Sequence, residues 1–576
     1  MMGRVLYVDL TEGRHEVVER PDLFDKYLGG SGAALNLLLH ECPQGVDPFA
    51  PENPLILAVG PLNGLFPCAA KTVAAFKSPV TGNLGETHAG GRLSLAMRMA
   101  GLDAMVVKGC AERPTIISVV DSKVKLLDAS PLKGSTTYEA ERYLRGLSAP
   151  GLQSVVAIGP AGERMVFFAG ANVDRYNFFG RLGMGAVMGA KNLKAISVAG
   201  TGQLTVPDPA RYKESFERVY ELVAKTDKMS KYHYVGTPIN VLALNAIKAL
   251  PTKNFQLTSF DEAEGISGEH IAEALLERKV SCAGCPIGCL HIAKLRPAFQ
   301  AGYEYESIDV YYNYESIYAL GSNLMIGGAV DVLRLIHRAN ALGVDTMLLG
   351  TALSWLTEAY EKGLISDAQT DEVRPRWGDA EAYLKALERI VAMPNELYAA
   401  LAQGPERAAE AFGGREFCLT IAGNGMAGYH TGYANVLGMM VGARHSHNSN
   451  AGYSLDQEAL KAGLSPEEMV SRLVKEDDWR YVLTSLAVCM FSRGVYTEKV
   501  VEDCLKAVGI ERSVEELYSM GREIYLTAHS FKRREGFNLK EVKLPDRLFE
   551  APTPHGRLKR EVLEEMLEDY ARRRGW

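Results

Sequence analysis

Three cysteines within eight residues are the part of this sequence with the clearest chemistry. Cys282, Cys285 and Cys289 lie in the stretch Cys-Ala-Gly-Cys-Pro-Ile-Gly-Cys. This spacing lets one tight turn present three thiolates to a metal ion or an iron-sulphur cluster, and Gly284 and Gly288 permit the backbone angles that such a turn needs. Free core cysteines or a disulphide pair are the alternative, but isolated cysteines rarely cluster in this way. The motif therefore predicts a redox protein.

A fourth cluster ligand has to come from a distant part of the chain. The other cysteines are single in the sequence, at Cys42, Cys68, Cys110, Cys418, Cys489 and Cys504. Neither spacing nor composition selects one of them, so the identity of the fourth ligand stays open at this point.

Composition narrows the class of protein. The chain has 576 residues, 47% hydrophobic and 23% charged, which is typical of a globular protein with two to four domains. A net charge of -7 and the absence of an 18-residue apolar run predict neither a nucleic-acid partner nor a membrane span. The N-terminus has no apolar core of signal-peptide length, so we expect a cytoplasmic protein, where thiols stay reduced.

Short β-branched runs dominate the N-terminal region, and residues 1–207 are predicted to form a β-rich domain. The runs lie at residues 55–59, 115–120, 154–158, 165–168 and 195–198.

One segment of this domain nearly recurs. Residues 91–109 and 180–200 each read as a glycine-rich turn, a short helix and a strand, and a strand closed by Gly-Pro precedes each of them. The repeat predicts two similar halves that hold two similar ligands or one pseudo-symmetric ligand. Chance resemblance of two helix-strand units is the alternative.

Helical patterns follow the linker at residues 206–209, and the fold class is predicted to be α+β with two mainly helical domains, 208–412 and 413–576. Helices are predicted at residues 329–342, 380–391, 466–475 and 557–574, the first of them ending at Gly343. Residues 423–452 are glycine-rich and are predicted to form an irregular loop that lines a site.

The chain resembles the tungsten-containing aldehyde ferredoxin oxidoreductase family over essentially its whole length. The resemblance rests on residues 77–82 (KSPVTG), 186–196 (AVMGAKNLKAI), the cysteine motif, 314–321 (YESIYALG), 342–346 (LGVDT) and 573–576 (RRGW). Family members hold a tungsten, less often a molybdenum, between two pyranopterin dithiolenes beside one 4Fe-4S cluster. The resemblance thus implies that the pseudo-symmetric N-terminal β-sheet domain holds a bis-pterin cofactor, and that Cys489 is the fourth cluster ligand.

Pterin contacts are also implied by the resemblance. Phosphate-side contacts, with a Mg²⁺ ion bridging the two pterins, fall on Lys71, His88, Gly90, Asn177, Phe178, Gly180 and Arg181. Two family motifs of pattern Asp-x-x-Gly-Leu-Asp/Cys match residues 340–345 and 484–489, and they supply Asn340, Val344, Asp345, Thr484 and, just beyond, Met490. Both motifs have lost their leading aspartate, and Lys71 and Asn177 stand where the family has arginines, which changes a planar donor to a point charge and to a neutral amide.

By the same resemblance, the catalytic carboxylate and histidine fall on Glu315 and His445. A carboxyl that accepts a proton and an imidazole that polarises a carbonyl suit aldehyde oxidation. The segment around His445 aligns only after about three inserted residues, so His447 is an alternative for the same role. Arg444 adds a cation that could bind a carboxylate-bearing molecule.

The resemblance implies oxidation of an aldehyde to a carboxylic acid, or the reverse, with electrons passing through the 4Fe-4S cluster to ferredoxin or to an iron-sulphur partner subunit. A related enzyme for another low-potential reduction, such as aromatic-ring reduction, is an alternative that would not need Glu315 and His445. A non-catalytic electron-transfer or scaffold protein is a third, against which the retained pterin-facing glycines argue.

Assembly is left open by the sequence. Some family members bridge two subunits with an iron held by a Glu-x-x-His pair, and Arg334 and His337 match those positions. Because an arginine cation is no metal ligand, we expect this iron to be absent and His337 to be structural. Both homo-oligomers and hetero-oligomers remain compatible with the sequence.

Overall fold

A computed structural model describes residues 2–147, 149–227, 229–300 and 304–576. It confirms the α+β class, because two six-stranded sheets within residues 4–200 are followed by a mainly helical region.

The two sheets have the same topology. The first contains β1 (Arg4–Asp9), β2 (Arg14–Glu19), β3 (Leu55–Ala58), β4 (Thr72–Lys77), β5 (Leu84–Ala89) and β6 (Ala104–Lys108), and the second contains β7 (Thr115–Val120), β8 (Lys123–Asp128), β9 (Leu152–Ala157), β10 (Ala171–Val173), β11 (Asn177–Phe179) and β12 (Leu193–Gly200). Their strand orders are β2-β1-β6-β3-β4-β5 and, read from the other edge, β8-β7-β12-β9-β10-β11. In each sheet the pairing of first and sixth strands is parallel and the rest is antiparallel. The predicted half-repeat is therefore confirmed as a structural repeat.

Helices in this region are α1 (Pro21–Tyr27), α2 (Gly30–Glu41), α3 (Leu93–Met99), α4 (Thr137–Gly146), α5 (Pro160–Glu163) and α6 (Met184–Ala190). The recurring sequence segments correspond to α3 with β6 and to α6 with β12. Strands β3, β4 and β12 are buried at every position, which explains why their sequences are mainly apolar and not alternating.

The remaining helices are α7 (Pro209–Ala224), α8 (Asn240–Ala246), α9 (Gly268–Ala274), α10 (Tyr314–Leu320), α11 (Ala329–Leu342), α12 (Thr346–Glu361), α13 (Ala380–Ala392), α14 (Glu396–Gln403), α15 (Pro405–Phe412), α16 (Tyr433–Val441), α17 (Gly452–Ala462), α18 (Pro466–Ser485), α19 (Glu498–Ala507), α20 (Val514–Arg534), α21 (Arg547–Glu550) and α22 (Arg560–Arg574). Short strands accompany them: β13 (Leu276–Val280), β14 (Leu290–Leu295), β15 (Ala298–Gln300), β16 (Glu304–Tyr305), β17 (Ile308–Tyr312), β18 (Thr420–Ile421), β19 (Asn424–Gly425), β20 (Pro552–Thr553) and β21 (Gly556–Arg557). Strands β13, β14 and β17 form a three-stranded sheet.

Most predicted elements agree with the structure, and α11 agrees at both ends. Gly343 caps that helix in the left-handed conformation, with φ of 80°, as the helix-stop signal predicts. The predicted strand at residues 165–168 is wrong. Its backbone is not part of a sheet, because the Phe167 N-H donates to the Ala402 carbonyl and the Phe168 carbonyl accepts from the Asp345 N-H. Residues 423–452 are not wholly irregular either, since they contain α16.

The two motifs matched to the family's pterin-binding pattern, residues 340–345 and 484–489, each hydrogen-bond to the backbone next to one of the two sheets. The Lys71 N-H donates to the Ala487 carbonyl at 3.1 Å, and the Gly170 N-H donates to the Gly343 carbonyl at 2.8 Å. The glycines that follow β3 and β9 allow this approach. A Cβ on Gly60 would lie 2.5 Å from the Leu486 carbonyl carbon, and one on Gly159 would lie 2.5 Å from the Leu342 carbonyl oxygen.

Among the described residues, no single helix is long and apolar enough to cross a membrane. The helical segments 314–324 and 329–342 together have the length and apolar composition of a membrane span, but the chain bends by 118° between them.

Candidate active site and iron-sulphur site

The cysteine motif is the connection between two antiparallel strands. β13 ends at Val280 and β14 begins at Leu290, so residues 281–289 turn the chain back on itself. Gly284 and Gly288 have φ of 67° and 61°, the left-handed values for which glycine suits the turn. The Cys285 N-H donates to the Cys282 carbonyl at 3.1 Å.

Cys489 reaches the same place from the C-terminal region, four residues after α18 ends at Ser485. Its side chain lines one cavity with Cys282, Cys285 and Cys289, whereas Cys418 and Cys504 do not line it. This arrangement supports the prediction of Cys489 as the fourth ligand. Four thiols around one space are a donor set suited to a 4Fe-4S cluster.

A fifth cysteine, Cys68, also lines this cavity. Its Sγ lies 3.6 Å from Cys285 Sγ, and this bond is the largest of the effects that lower the pKa of Cys285, against the effect of burial. Sequence reasoning left Cys68 as one of six single cysteines, because nothing in its spacing relates it to the motif.

Lys71 faces the sulphur atoms. Burial disfavours its ammonium, but the charges of Cys489, Cys282, Cys289 and Cys285 act in the opposite sense and leave its pKa raised. A lysine in this position offers a positive charge to a cluster and its thiolate ligands.

The cavity also contains nearly all the residues to which the resemblance assigns pterin contacts: Lys71, His88, Gly90, Asn177, Phe178, Gly180, Arg181, Asn340, Val344, Asp345 and Met490. Thr484 is the exception. It lines a small neighbouring cavity with Glu86 and Arg444, and its Oγ1 donates to the Tyr481 carbonyl at 3.4 Å. Its place in the last turn of α18 turns the hydroxyl onto its own helix, so this side chain does not line the cavity that holds the other predicted contacts.

Glu86 is a buried acid of the site that sequence reasoning missed. Its carboxylate accepts hydrogen bonds from Ser31 Oγ at 2.6 Å and Tyr481 OH at 3.3 Å, and it bonds to His88 Nε2 at 2.8 Å. Burial raises the pKa of Glu86, but His88 and Arg444 outweigh it and hold the pKa at about 2. A signal existed, because residues 86 and 88 share one face of β5.

Arg181 and Asp345 form a second charged pair in the cavity. Arg181 Nε lies 3.6 Å from Asp345 Oδ2, and neither atom has a hydrogen-bond partner among the described residues. Buried polar atoms are normally satisfied, so these two point to a polar group that binds between them and the cavity. The residues therefore fit a phosphate-bearing or ring-nitrogen-bearing cofactor.

Glu315 stands at the start of α10, which Asn313 caps by accepting a hydrogen bond from the Ser316 N-H at 2.9 Å. Its Oε1 lies 3.2 Å from His447 Nε2 and accepts from Tyr429 OH at 3.2 Å. Burial works against the carboxylate, but the bond to His447 outweighs it and lowers the pKa of Glu315. Burial also lowers the pKa of His447, which keeps its imidazole neutral.

His445, the residue to which the resemblance assigns the histidine role, does not lie in this group. It is 1% exposed and lies outside the cavity lining. Its Nδ1 bonds to the Met439 carbonyl at 3.0 Å and its Nε2 lies 2.6 Å from Lys532 Nζ. The left-handed conformation of His445, with φ of 48°, turns the chain so that His447 faces the cavity instead.

Arg334 and His337 both contact other side chains of the same chain. Arg334 pairs with Glu381 at 2.7 Å, and the His337 ring stacks on Tyr138 with centroids 5.4 Å apart. Burial lowers the pKa of His337 to about 4. These contacts support a structural role for His337.

Comparison with known proteins agrees with this architecture. Residues 5–200 match the family model described as the aldehyde ferredoxin oxidoreductase N-terminal domain, and residues 214–576 match the model for domains 2 and 3. A tungsten-containing aldehyde ferredoxin oxidoreductase of Thermococcus kodakarensis is 33% identical over 600 residues, covering 100% of this chain and 96% of that protein. The WOR-like subunit of an aliphatic sulfonate oxidoreductase of Pyrococcus furiosus is 28% identical over 426 residues, covering 71% of this chain and 66% of that protein.

A solved structure has the same fold. It is the active-site complex BamBC of benzoyl coenzyme A reductase with 1,5-dienoyl-CoA, with a TM-score of 0.84 and 22% identity, covering 100% of this chain and 94% of that one.

The repeated sheets and the sulphur donors that line one cavity are the features of a redox protein with a cluster site beside that cavity. The chain belongs to the aldehyde ferredoxin oxidoreductase family of tungsten oxidoreductases. The family implies a tungsten-pterin cofactor and a 4Fe-4S cluster, and its enzymes pass electrons to ferredoxin.

Proposed function

We propose that this protein oxidises aldehydes to carboxylic acids, or catalyses the reverse reaction, at a tungsten or molybdenum bis-pyranopterin centre. Electrons leave through the 4Fe-4S cluster to ferredoxin or to an iron-sulphur partner subunit. The observation that carries the proposal is the contact between Glu315 and His447 in the cavity that the four cysteines also line. A protein that only relayed electrons would have no need of this acid-base pair.

Cofactor binding is assigned by chemistry. Lys71, His88, Asn177 and Arg181 are the side chains proposed to hold the pterin phosphates together with Mg²⁺, and Gly90, which has no side chain, leaves space beside them. A Cβ on Gly90 would lie 2.6 Å from Cys282 Sγ and 2.8 Å from Asn177 Oδ1. Asn340 and Asp345 are proposed to bind the pterin rings from the 340–345 motif.

Glu315 and His447 are the proposed catalytic residues. An aldehyde and a water molecule give a carboxylic acid, two electrons and two protons. Glu315, held ionised by His447, accepts a proton from the water that adds to the carbonyl carbon, and Tyr429 orients the carboxylate through its hydroxyl. A bound metal-pterin centre would supply the two-electron acceptor, and a cluster held by Cys282, Cys285, Cys289 and Cys489 would supply a one-electron carrier beside it.

A second candidate function is another low-potential reduction on the same cofactor, such as aromatic-ring reduction. This candidate is compatible with the fold that the chain shares with the benzoyl coenzyme A reductase complex. At 22% identity, that likeness concerns the fold alone. The acid-base pair beside the cavity favours aldehyde chemistry over it. A cluster-only electron carrier or scaffold is disfavoured by the orphaned polar atoms of Arg181 and Asp345.

The decisive experiment is purification of the full chain without air, followed by assay of tungsten, molybdenum, iron and pterin. We expect one tungsten or molybdenum and four irons per chain, and viologen reduction with at least one member of an aldehyde panel. Iron without tungsten or molybdenum would support the cluster-only reading. A protein that contains the metal-pterin cofactor and the cluster but oxidises no aldehyde of the panel, and acts on sulfonates or aryl-CoA thioesters, would favour the second candidate function.

A further inference from the structure

We propose that the Cys68 thiol donates a hydrogen bond to the sulphur of the cluster ligand Cys285 and so raises the reduction potential of the 4Fe-4S cluster. This inference rests on the cluster assignment of the proposed function but concerns a residue outside the four-ligand set. In this role Cys68 is a positioning residue, because it acts on the cluster through Cys285.

The first support is the position of the thiol. Cys68 is 0% exposed, and its Sγ lies 3.6 Å from Cys285 Sγ, a suitable distance for a bond between a thiol donor and a sulphur acceptor. Its side chain lines the cavity beside the four proposed ligands. Since the ligand sulphurs are deprotonated when they bind iron, Cys68 is the partner that retains a proton to donate.

The second support is how the backbone holds this thiol. The Cys68 carbonyl accepts from the N-H of Cys489 at 2.9 Å, so one residue contacts two ligands that are 204 residues apart in the sequence. Cys68 also has φ of 62°, an uncommon conformation for a residue other than glycine. The backbone of Cys68 is thus held beside both ligands by the fold.

The third support comes from the other half of the repeat. There the Phe168 carbonyl accepts from the Asp345 N-H at 3.0 Å, which is the counterpart of the bond from Cys489 to Cys68. The backbone bridge therefore belongs to both halves and serves the fold. The thiol does not, because the second half carries a phenylalanine at this place and no cluster ligand. A structural role for this backbone hydrogen bond therefore does not explain why residue 68 is a cysteine.

The direction of the effect follows from charge. A reduced cluster carries one more negative charge than an oxidised one, and a donor to a ligand sulphur stabilises that charge. Loss of the donor therefore favours the oxidised cluster. We expect Cys68→Ala to lower the ratio of reduced to oxidised cluster about threefold to tenfold at a fixed potential, which corresponds to about 30 to 60 mV for one electron.

The test compares Cys68→Ala and Cys68→Ser with wild type and with Cys418→Ala, a control at another 0% exposed cysteine that does not line the cavity. Alanine and serine both keep a Cβ, so the backbone strain at residue 68 is the same in all forms. Cluster potential is measured by EPR-monitored redox titration, and the iron-sulphur bonds by resonance Raman spectroscopy.

We expect four irons per chain in every form, a lower potential and a stiffer iron-Cys285 bond in Cys68→Ala, and a potential near that of wild type in Cys68→Ser, whose hydroxyl can still donate. Unchanged potentials in Cys68→Ala would overturn the inference alone. Loss of iron from both variants would also overturn it, because Cys68 would then be an iron ligand. A wild-type protein without four irons would instead defeat the cluster assignment itself. If Cys68→Ala fails to fold, a Cys68→Ser protein with a potential well below wild type contradicts the inference.

Discussion

His447 Nε2 lies 3.2 Å from Glu315 Oε1, although one residue belongs to α10 and the other to the loop after α16. With Nε2 protonated, His447 donates to the carboxylate and leaves Nδ1, which has no partner among the described residues, as an acceptor. The pair can therefore accept one proton at the Glu315 carboxylate and another at His447 Nδ1.

Glu315→Gln is expected to lower kcat about 100-fold or more, because an amide cannot accept the proton that a carboxylate does. Metal and pterin content should stay at wild-type values, since Glu315 is not among the proposed cofactor contacts. Steady-state dye reduction with metal analysis checks this, with the exposed Glu396→Gln as the matched control. Full activity in Glu315→Gln with bound cofactor would remove Glu315 from the mechanism.

The two candidate histidines are separated by their different surroundings. His447→Gln is expected to lower kcat about 10-fold to 100-fold, because Glu315 loses the partner that orients it. His445→Gln should instead destabilise the fold by about 1 to 3 kcal/mol, since it disturbs buried bonds to Lys532 and the Met439 carbonyl, and leave kcat of the folded enzyme within about threefold.

Activity and chemical unfolding are measured on both histidine variants. The reverse pattern, with the activity loss in His445→Gln and none in His447→Gln, would restore the assignment that the family alignment suggests.

Some of these features could be predicted from the sequence and others could not. The cysteine turn and α11 were predictable because their signals are local: spacing within one turn, and a 3.6-residue period closed by Gly343. The choice between His445 and His447 could not be predicted, because it depends on the left-handed backbone of His445 in a loop that packs against other elements. Cys68 was missed because its partners, Cys285 and Cys489, lie on distant segments. Glu86 has one local partner, His88, but its contacts with Ser31 and Tyr481 come from distant segments that the sequence does not place.

The fourth cluster ligand is testable by iron content. Cys489→Ala is expected to lose the 4Fe-4S cluster or retain a cluster with fewer irons, because the remaining three thiols leave one iron without a protein ligand. Cys504→Ala, at a buried cysteine in α19 that does not line the cavity, should keep four irons per chain. Iron analysis and the EPR spectrum of the reduced protein distinguish them. Four irons in Cys489→Ala would point to Cys68 as the ligand.

Glu86 should give the fold a measurable acid dependence. Its pKa of about 2 lies below the ordinary value of 4.5, so the unfolded chain takes up a proton that the folded chain does not. Stability from this group is present above pH 4.5 and is lost as the pH falls toward 2.

Between pH 6 and pH 4 the loss amounts to about 0.8 kcal/mol from Glu86 alone. Urea unfolding of wild type and of Glu86→Gln over this range measures it, and the variant should show the smaller change. An equal pH dependence in the two proteins would mean that His88 and Arg444 do not hold Glu86 ionised.

Gly60 and Gly159 should be equally intolerant of a side chain, because the two halves use them for the same contact. A Cβ at Gly60 would lie 2.5 Å from the Leu486 carbonyl carbon, and one at Gly159 would lie 2.5 Å from the Leu342 carbonyl oxygen, both backbone atoms that cannot turn aside. Each glycine-to-alanine change is therefore expected to destabilise the protein by about 1 to 3 kcal/mol and to weaken retention of the pterin cofactor, since the 484–489 or 340–345 motif must move away from its sheet.

Gly146→Ala is the control for both glycine variants, because a Cβ there meets nothing within 4 Å. Unfolding and pterin content are measured on all three proteins. If only one of Gly60→Ala and Gly159→Ala were damaging, the two motifs would not be equivalent supports of a two-fold cofactor, and the half-repeat would be a feature of the fold without a matching symmetry in what it binds.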